Sequence, residues 1–239
     1  MTESLSQSAS IAGNLANVHD RIAAAAKRAG RNAEDVTLVT VTKTHPTASI
    51  RIAAKAGVTN VGENRVQEAL EKKTELEALG IKLRWHLIGH LQSNKAKLAI
   101  QHFDLIHSVD SIELARDLNR HATTAGKHQP ILLQLNVSHE ETKFGADPQA
   151  ARELVSQVLE LCPSLQINGL MTMAPFSDNP EDARPHFRAL HELSQSLREQ
   201  FEIGSELSMG MTGDYEVAIE EGATLVRIGS AIFGHRETA

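Results

Sequence analysis

Cysteine is almost absent: Cys162 is the only one in 239 residues, so no internal disulfide can form and a reducing, cytoplasmic compartment is the expectation. Aromatic residues make up 3% of the chain, one Trp, one Tyr and six Phe. That leaves few platforms for stacking bases and leaves the core to Ala, Val, Ile and Leu. No apolar run approaches the length of a membrane span, and the N-terminus, MTESLSQSAS, lacks the basic-then-apolar order of a secretory signal. Blocks of like charge are missing too. Lys plus Arg gives 24, Asp plus Glu gives 30, and the formal charge of −6 is spread along the chain, which gives no reason to expect nucleic acid or membrane as partner. What is present, 41% apolar side chains, suffices for a full core in a single soluble domain.

Apolar periodicity organises that material. A first helix spans about residues 3–29, with Ile11, Leu15, Val18 and Ile22 at helical spacing. Short apolar runs then alternate with longer amphipathic ones. Strands are expected over 37–44, 58–62, 84–89, 105–109, 131–137, 167–171, 206–209 and 224–227, and helices over 64–79, 111–125, 148–161, 181–200 and 215–221. Helix-start residues stand before several of these, as in Asp110-Ser111, Asp147-Pro148 and Asp214. Eight alternations predict an α/β chain folded as a single closed (β/α)8 TIM barrel, because parallel strands joined by crossover helices need both faces covered. An open doubly wound sheet is the rival, but no G-x-G-x-x-G follows the first strand. No linker or repeat divides the chain, so residues 1–239 read as one domain with a helix over 1–30 added to it.

A barrel works at the C-terminal ends of its strands. The first predicted strand puts Val39, Val41 and Lys43 on one face by period two, an amine at the end of an apolar column. An ordinary strand-end lysine packs its stem and sends its head to water. A Schiff-base lysine is the sharper alternative: at an unperturbed pKa of roughly 10.4 only about one in a few thousand is neutral at pH 7, and burial can lower that by ~3 units or more. Position alone leaves both open. Other strand ends are polar as well, with Asn64, His86 and Asn136 among them. The seventh closes in Ser208-Met209-Gly210-Met211-Thr212-Gly213-Asp214 and the eighth in Arg227-Ile228-Gly229-Ser230-Ala231. Small residues there let backbone N–H groups approach a phosphate, or else simply form tight turns.

Metal and hydrolytic readings find less support. Among twelve histidines no His-Glu-x-x-His occurs, and His86 and His90 fall in a strand and loop. Cys162 has no partner cysteine and reads as inert. Neither a P-loop nor a Gly-x-Ser-x-Gly elbow is found.

Six segments in register carry a resemblance: Val41-Thr42-Lys43-Thr44, Gly62-Glu63-Asn64-Arg65-Val66-Gln67-Glu68, Trp85 through Lys95, Gly169-Leu170-Met171-Thr172-Met173, Leu207 through Thr212, and Val226 through Gly234. From about residue 10 to 235 the chain resembles the pyridoxal phosphate homeostasis protein family, which looks like the N-terminal barrel of alanine racemase, fold type III, standing alone. The resemblance implies that Lys43 holds pyridoxal 5′-phosphate as an aldimine, a Schiff base. It further implies that Ser208, Gly229 and Ser230 hold the phosphate, that Arg227 faces the pyridine nitrogen, and that Asn64, His86, Asn136 and Met209 line the pocket. Arg65 departs from the tyrosine common there. An arginine, donor-only and charged, disfavours protonation of the ring nitrogen and so weakens carbanion chemistry. The implied protein is a monomeric, cytosolic carrier serving vitamin B6 and amino-acid homeostasis, with PLP-dependent apoenzymes as recipients and without dedicated catalysis. A racemase is the alternative, although Tyr215 is the only tyrosine that could act opposite the lysine. A lysine-dependent aldolase of phosphosugars is a third reading.

Overall fold

A computed structural model describes residues 2–138, 140 and 143–234, and its eight strands close into one barrel in sequence order. They are β1 (Thr37–Val41), β2 (Asn60–Glu63), β3 (Arg84–Leu87), β4 (Leu105–Val109), β5 (Gln129–Gln134), β6 (Leu165–Met171), β7 (Glu206–Ser208) and β8 (Leu225–Ile228). All neighbours are parallel, and β8 returns to β1 with Leu225 opposite Thr37 and Ile228 opposite Thr40. The crossovers are α2 (Thr47–Lys55), α3 (Val66–Ala78), α4 (Ala96–His102), α5 (Ile112–Thr124), α6 (Ala151–Leu161), α7 (Arg184–Arg198) and α8 (Tyr215–Glu220), with α1 (Thr2–Arg28) in front. No described helix is long and apolar enough to cross a membrane.

Aliphatic composition becomes two apolar layers. Inside the barrel Val39, Leu105, Leu132, Met171 and Leu225 form a small buried cluster. Alternate residues of the same strands, such as Val61, Ile106, Leu133 and Val226, point outward into the larger layer beneath the helices. Of the few large aromatics, Trp85, Phe103, Phe187 and Tyr215 are buried in that outer layer, whereas Phe144 and Phe176 are exposed.

Among the described residues β8 is followed by α9 (Ser230–Phe233), four residues long, too short to cover a barrel flank. The N-terminal helix fills the place. Ile11, Leu15, Val18 and Ile22 make one buried stripe that packs α1 against α2, α8 and α9, each side chain contributing about 2 kcal/mol at most. Thus α1 acts as the missing last helix of the barrel rather than an appendage. Asn14 Nδ2 also donates to the Ile232 carbonyl at 2.9 Å, tying α1 to the end of α9. Asn14→Ala is expected to cost about 1 kcal/mol and to speed amide exchange at Phe233 and Gly234. Unchanged exchange there would show that the tie carries no weight.

Seven of the eight strands differ from the sequence pattern, five of them by one or two residues at an end and two of them, β1 and β5, by three. The first strand stops at Val41 rather than residue 44, because the Thr42 carbonyl is taken by Lys72 Nζ and the His45 N–H, although the Thr42 N–H still donates to the Gly62 carbonyl. The fifth runs over Gln129–Gln134 rather than 131–137. It includes Pro130 near its start, where pairing with β4 has not yet begun, and beyond it Leu135 meets Ala146 only as an isolated bridge.

Candidate functional site

The chain turns off β1 immediately around Lys43, and a buried ion cluster holds the turn. Lys72 Nζ donates to the Thr42 carbonyl at 2.7 Å, to Glu63 Oε1 at 2.8 Å and to Glu68 Oε1 at 2.7 Å. The Thr42 hydroxyl donates to Glu63 Oε1 at 2.6 Å, and the Thr44 N–H donates to Glu68 Oε1 at 2.5 Å. Both residues flanking Lys43 are therefore pinned to β2 and α3. Thr44 adopts φ 64°, a left-handed conformation that a β-branched residue takes only under constraint, and the bond to Glu68 supplies that constraint. Burial pushes the Glu63 carboxyl up, against the pull of Lys72 and Thr42. For Glu68 burial acts in the same sense but is outweighed by Lys72 and the Thr44 N–H, so its pKa falls.

Lys43 opens on a cavity of about 600 Å³ at the C-terminal end of the barrel, which Val41, Asn64, Arg227, Thr212, Gly229 and Ser230 also line. Lys143 brings a further cation to the rim, paired with Glu140 at 3.1 Å. Two turns form the wall beneath. The first follows β7, where Gly210 has φ 91° and an added Cβ would stand 2.6 Å from the Ala218 Cβ, so only glycine lets the loop close on α8. There Asp214 accepts the Met211 N–H at 2.6 Å. Its carboxyl is pushed up by burial, with the Met211 N–H and Arg227 opposing. The second turn follows β8, and Ser230 Oγ donates to Thr212 Oγ1 across the gap at 3.2 Å. Arg227 is buried between the two turns, and burial lowers its guanidinium to about 10 against the attraction of Asp214, which leaves it cationic at neutral pH.

Of the residues singled out in the sequence, Lys43, Asn64, Arg227, Gly229 and Ser230 meet on this cavity. Four do not. Ser208 faces the barrel interior below the cavity, where its Oγ lies 2.6 Å from Arg227 and 2.8 Å from His107. Met209, next along β7, points outward into the helix layer. His86 lies deeper in the barrel, bonded to His107 and Asn60. The Asn136 amide holds its own loop through the Glu140 carbonyl at 2.9 Å. Thr212 was overlooked; it lines the cavity from the loop after β7, where the alternation of the strand has ended and no pattern marks it. The ion cluster was missed as well, although Glu68 and Lys72 are four apart on one helix.

Among the described residues no three His, Cys, Asp or Glu side chains could hold a metal. His90 stacks on Phe144 at 3.9 Å instead. Cys162 is a buried free thiol whose pKa is raised by burial, an inert environment.

A family model described as alanine racemase, N-terminal domain, matches residues 14–237. The pyridoxal phosphate homeostasis protein of Aquifex aeolicus is 45% identical over 224 residues, covering 93% of this chain and 97% of that one. The protein of the same name from Escherichia coli K12 is 40% identical over 232 residues, covering 95% and 97%. Among solved structures, PipY of Synechococcus elongatus with PLP bound superposes with a TM-score of 0.82 at 39% identity, covering 94% of this chain and 100% of that one. The alanine racemase of Clostridium difficile 630 superposes with a TM-score of 0.73 at 19% identity over 96% of this chain but only 57% of its own, a likeness of fold alone.

Proposed function

Because the chain belongs to the pyridoxal phosphate homeostasis proteins, a family built on the N-terminal domain of alanine racemase, we propose that it binds pyridoxal 5′-phosphate covalently and serves intracellular vitamin B6 and amino-acid balance. One arrangement carries the reading: Lys43, Arg227 and the Gly229–Ser230 turn share a single cavity of about 600 Å³. The donor set fits the group. A flat ring bearing an aldehyde and a dianionic phosphate needs an amine, a ring-nitrogen partner and clustered hydroxyl and backbone donors, and this wall offers each type. Bound there, the group supplies an aldehyde for an amine to capture and a ring able to draw electrons from that link.

The chain's own residues have separable tasks. Lys43 provides the amine, and the Lys72 cluster fixes its backbone. Ser230, Gly229 and Thr212 take the phosphate, Arg227 faces the ring nitrogen, and Asn64 closes the side below Lys43. Ser208, His86 and Asn136 act at a distance from the group, and Met209 packs outside the barrel.

Holding rather than turnover follows from two features. Arg227 is donor-only and cationic, so it keeps a proton off the ring nitrogen. Tyr215, the only tyrosine, is buried beneath α1 with the Arg21 guanidinium 5.3 Å above its ring, away from the cavity, so no phenol stands opposite Lys43. The chain is a monomeric cytosolic domain over 1–239 in this reading, and PLP-requiring apoenzymes are its recipients.

The test is to load the protein with pyridoxal 5′-phosphate, reduce with borohydride and map the labelled peptide. The label is expected on Lys43, and Lys43→Ala should lose both the label and the visible band. Label elsewhere, or a band that survives the substitution, overturns the assignment. Exchange of an amino-acid α-proton by the loaded protein would favour the racemase alternative.

A further inference from the structure

Below the cavity the barrel interior holds a line of polar side chains that cofactor binding alone does not call for. Arg227 donates through NH1 to Ser208 Oγ at 2.6 Å and through NH2 to the Thr172 carbonyl at 2.9 Å. Ser208 Oγ lies 2.8 Å from His107 Nδ1, His107 Nε2 lies 2.9 Å from His86 Nδ1, and His86 Nε2 lies 2.9 Å from Asn60 Oδ1. Five strands, β8, β7, β4, β3 and β2, contribute one residue each. Ser208, His107 and His86 are buried, so every atom in the line must find its partner within it.

Donor and acceptor counting sets a direction. Arg227 can only donate, so Ser208 Oγ accepts from it and turns its own proton to His107 Nδ1. His107 must then carry its proton on Nε2 and donate to His86 Nδ1, and His86 must do the same toward Asn60 Oδ1. Reversing the line would leave the Ser208 hydroxyl proton without an acceptor among the described residues, since its Oγ would then receive from both sides. Protonating either ring would add a cation beside Arg227 and Arg84, the charges that face these rings, and burial already lowers His86 to about 3 and His107 well below 6.5.

We propose that Ser208, His107 and His86 are positioning residues, a one-way line of hydrogen bonds anchored at the opposite end of the barrel that holds the Arg227 guanidinium aimed at the cavity. The proposal rests on the cofactor reading only for what Arg227 faces. It also gives polar residues in a small aliphatic core a use: a guanidinium held by a single carbonyl could swing, whereas one held at two nitrogens is fixed in plane and direction.

Two measurements test it. In the cofactor-free full chain, nitrogen-15 NMR of the imidazoles is expected to show His86 and His107 as neutral Nε2–H tautomers that do not titrate between about pH 5.5 and about pH 9. An Nδ1–H tautomer at either ring, or a titration within that range, overturns the line. The second is a cycle with Arg227→Leu, read as pyridoxal 5′-phosphate affinity. Ser208→Ala should weaken binding about tenfold with Arg227 present and less than about twofold in the Arg227→Leu background, and Ser208→Thr should restore it. Equal losses in both backgrounds would mean that Ser208 acts on stability and not through Arg227. If the natural sequence binds no pyridoxal 5′-phosphate, the cofactor reading fails while the NMR result still decides the line.

Discussion

Replacing Lys72 by methionine is expected to lower the unfolding free energy by about 3–5 kcal/mol, the range for removing one partner of a buried ion pair. Glu63 is fully buried, and its Oε2 has no hydrogen-bond partner among the described residues; Oε1 accepts from Lys72 and Thr42. Without the ammonium, a carboxylate remains in an apolar surrounding and the Thr42 carbonyl loses one of its two donors, keeping the His45 N–H. Neutralising the stranded acid should recover part of the loss, so Lys72→Met with Glu63→Gln is expected to be more stable than Lys72→Met alone, by about 1 kcal/mol or more. Urea denaturation of the four proteins of the cycle checks this, and a loss below about 1 kcal/mol for Lys72→Met would show that the cluster is incidental. The same cycle separates stability from function. The cluster grips Thr42 and Thr44 on either side of Lys43, so the double variant should fold yet label with pyridoxal 5′-phosphate more slowly.

That cluster also marks where local pattern stops being informative. Period two along Val39, Val41 and Lys43 carried Lys43 to the barrel mouth, and Val41 and Lys43 do line one cavity. The pattern could not say that β1 ends at Val41 rather than residue 44, because the groups that hold the Thr42 carbonyl and hydroxyl and the Thr44 N–H come from residues 63, 68 and 72. Barrel and strand order were legible from eight alternations, and α5 from its Ser111 cap, which accepts the Leu114 N–H. In contrast α2 starts behind Pro46 and α4 behind Lys95, neither with a capping side chain, so no start signal marks them. Ser208 and Met209 illustrate a different limit of pattern. Their loop is glycine-rich and the motif suggested phosphate, yet alternation along β7 sends Ser208 inward and Met209 outward before the loop begins. His107 carried no signal at all, since its meaning lies in neighbours 21 residues before it and 101 after.

Acid is expected to unfold this protein with a slope set in large part by the two core histidines. An unfolded imidazole titrates near about 6.5, whereas folded His86 takes up a proton only at about 3 and His107 well below 6.5, both because burial penalises the charged ring. Between those limits the unfolded chain binds two protons that the folded chain refuses. Stability from these groups is therefore complete above about pH 6.5 and is lost as pH falls, by about 1.4 kcal/mol per pH unit for each ring and about 2.5 kcal/mol in total between about pH 7 and about pH 5.5. His102 shifts in the same sense but is mostly solvated, so its share is smaller. The carboxyls of Glu63, Asp110, Glu206 and Asp214 are raised by burial; they hold protons more tightly when folded and offset part of the loss at the acidic end. His86→Gln removes one titrating ring while keeping an amide that can bond in both directions. Its unfolding free energy should depend on pH with about one proton less between about pH 6.5 and about pH 5.5, measured by urea denaturation at each pH. An unchanged slope would mean that His86 takes up its proton in the folded protein as readily as in the unfolded one. The line to Arg227 would then run the other way or not at all, because a charged ring must donate from both nitrogens.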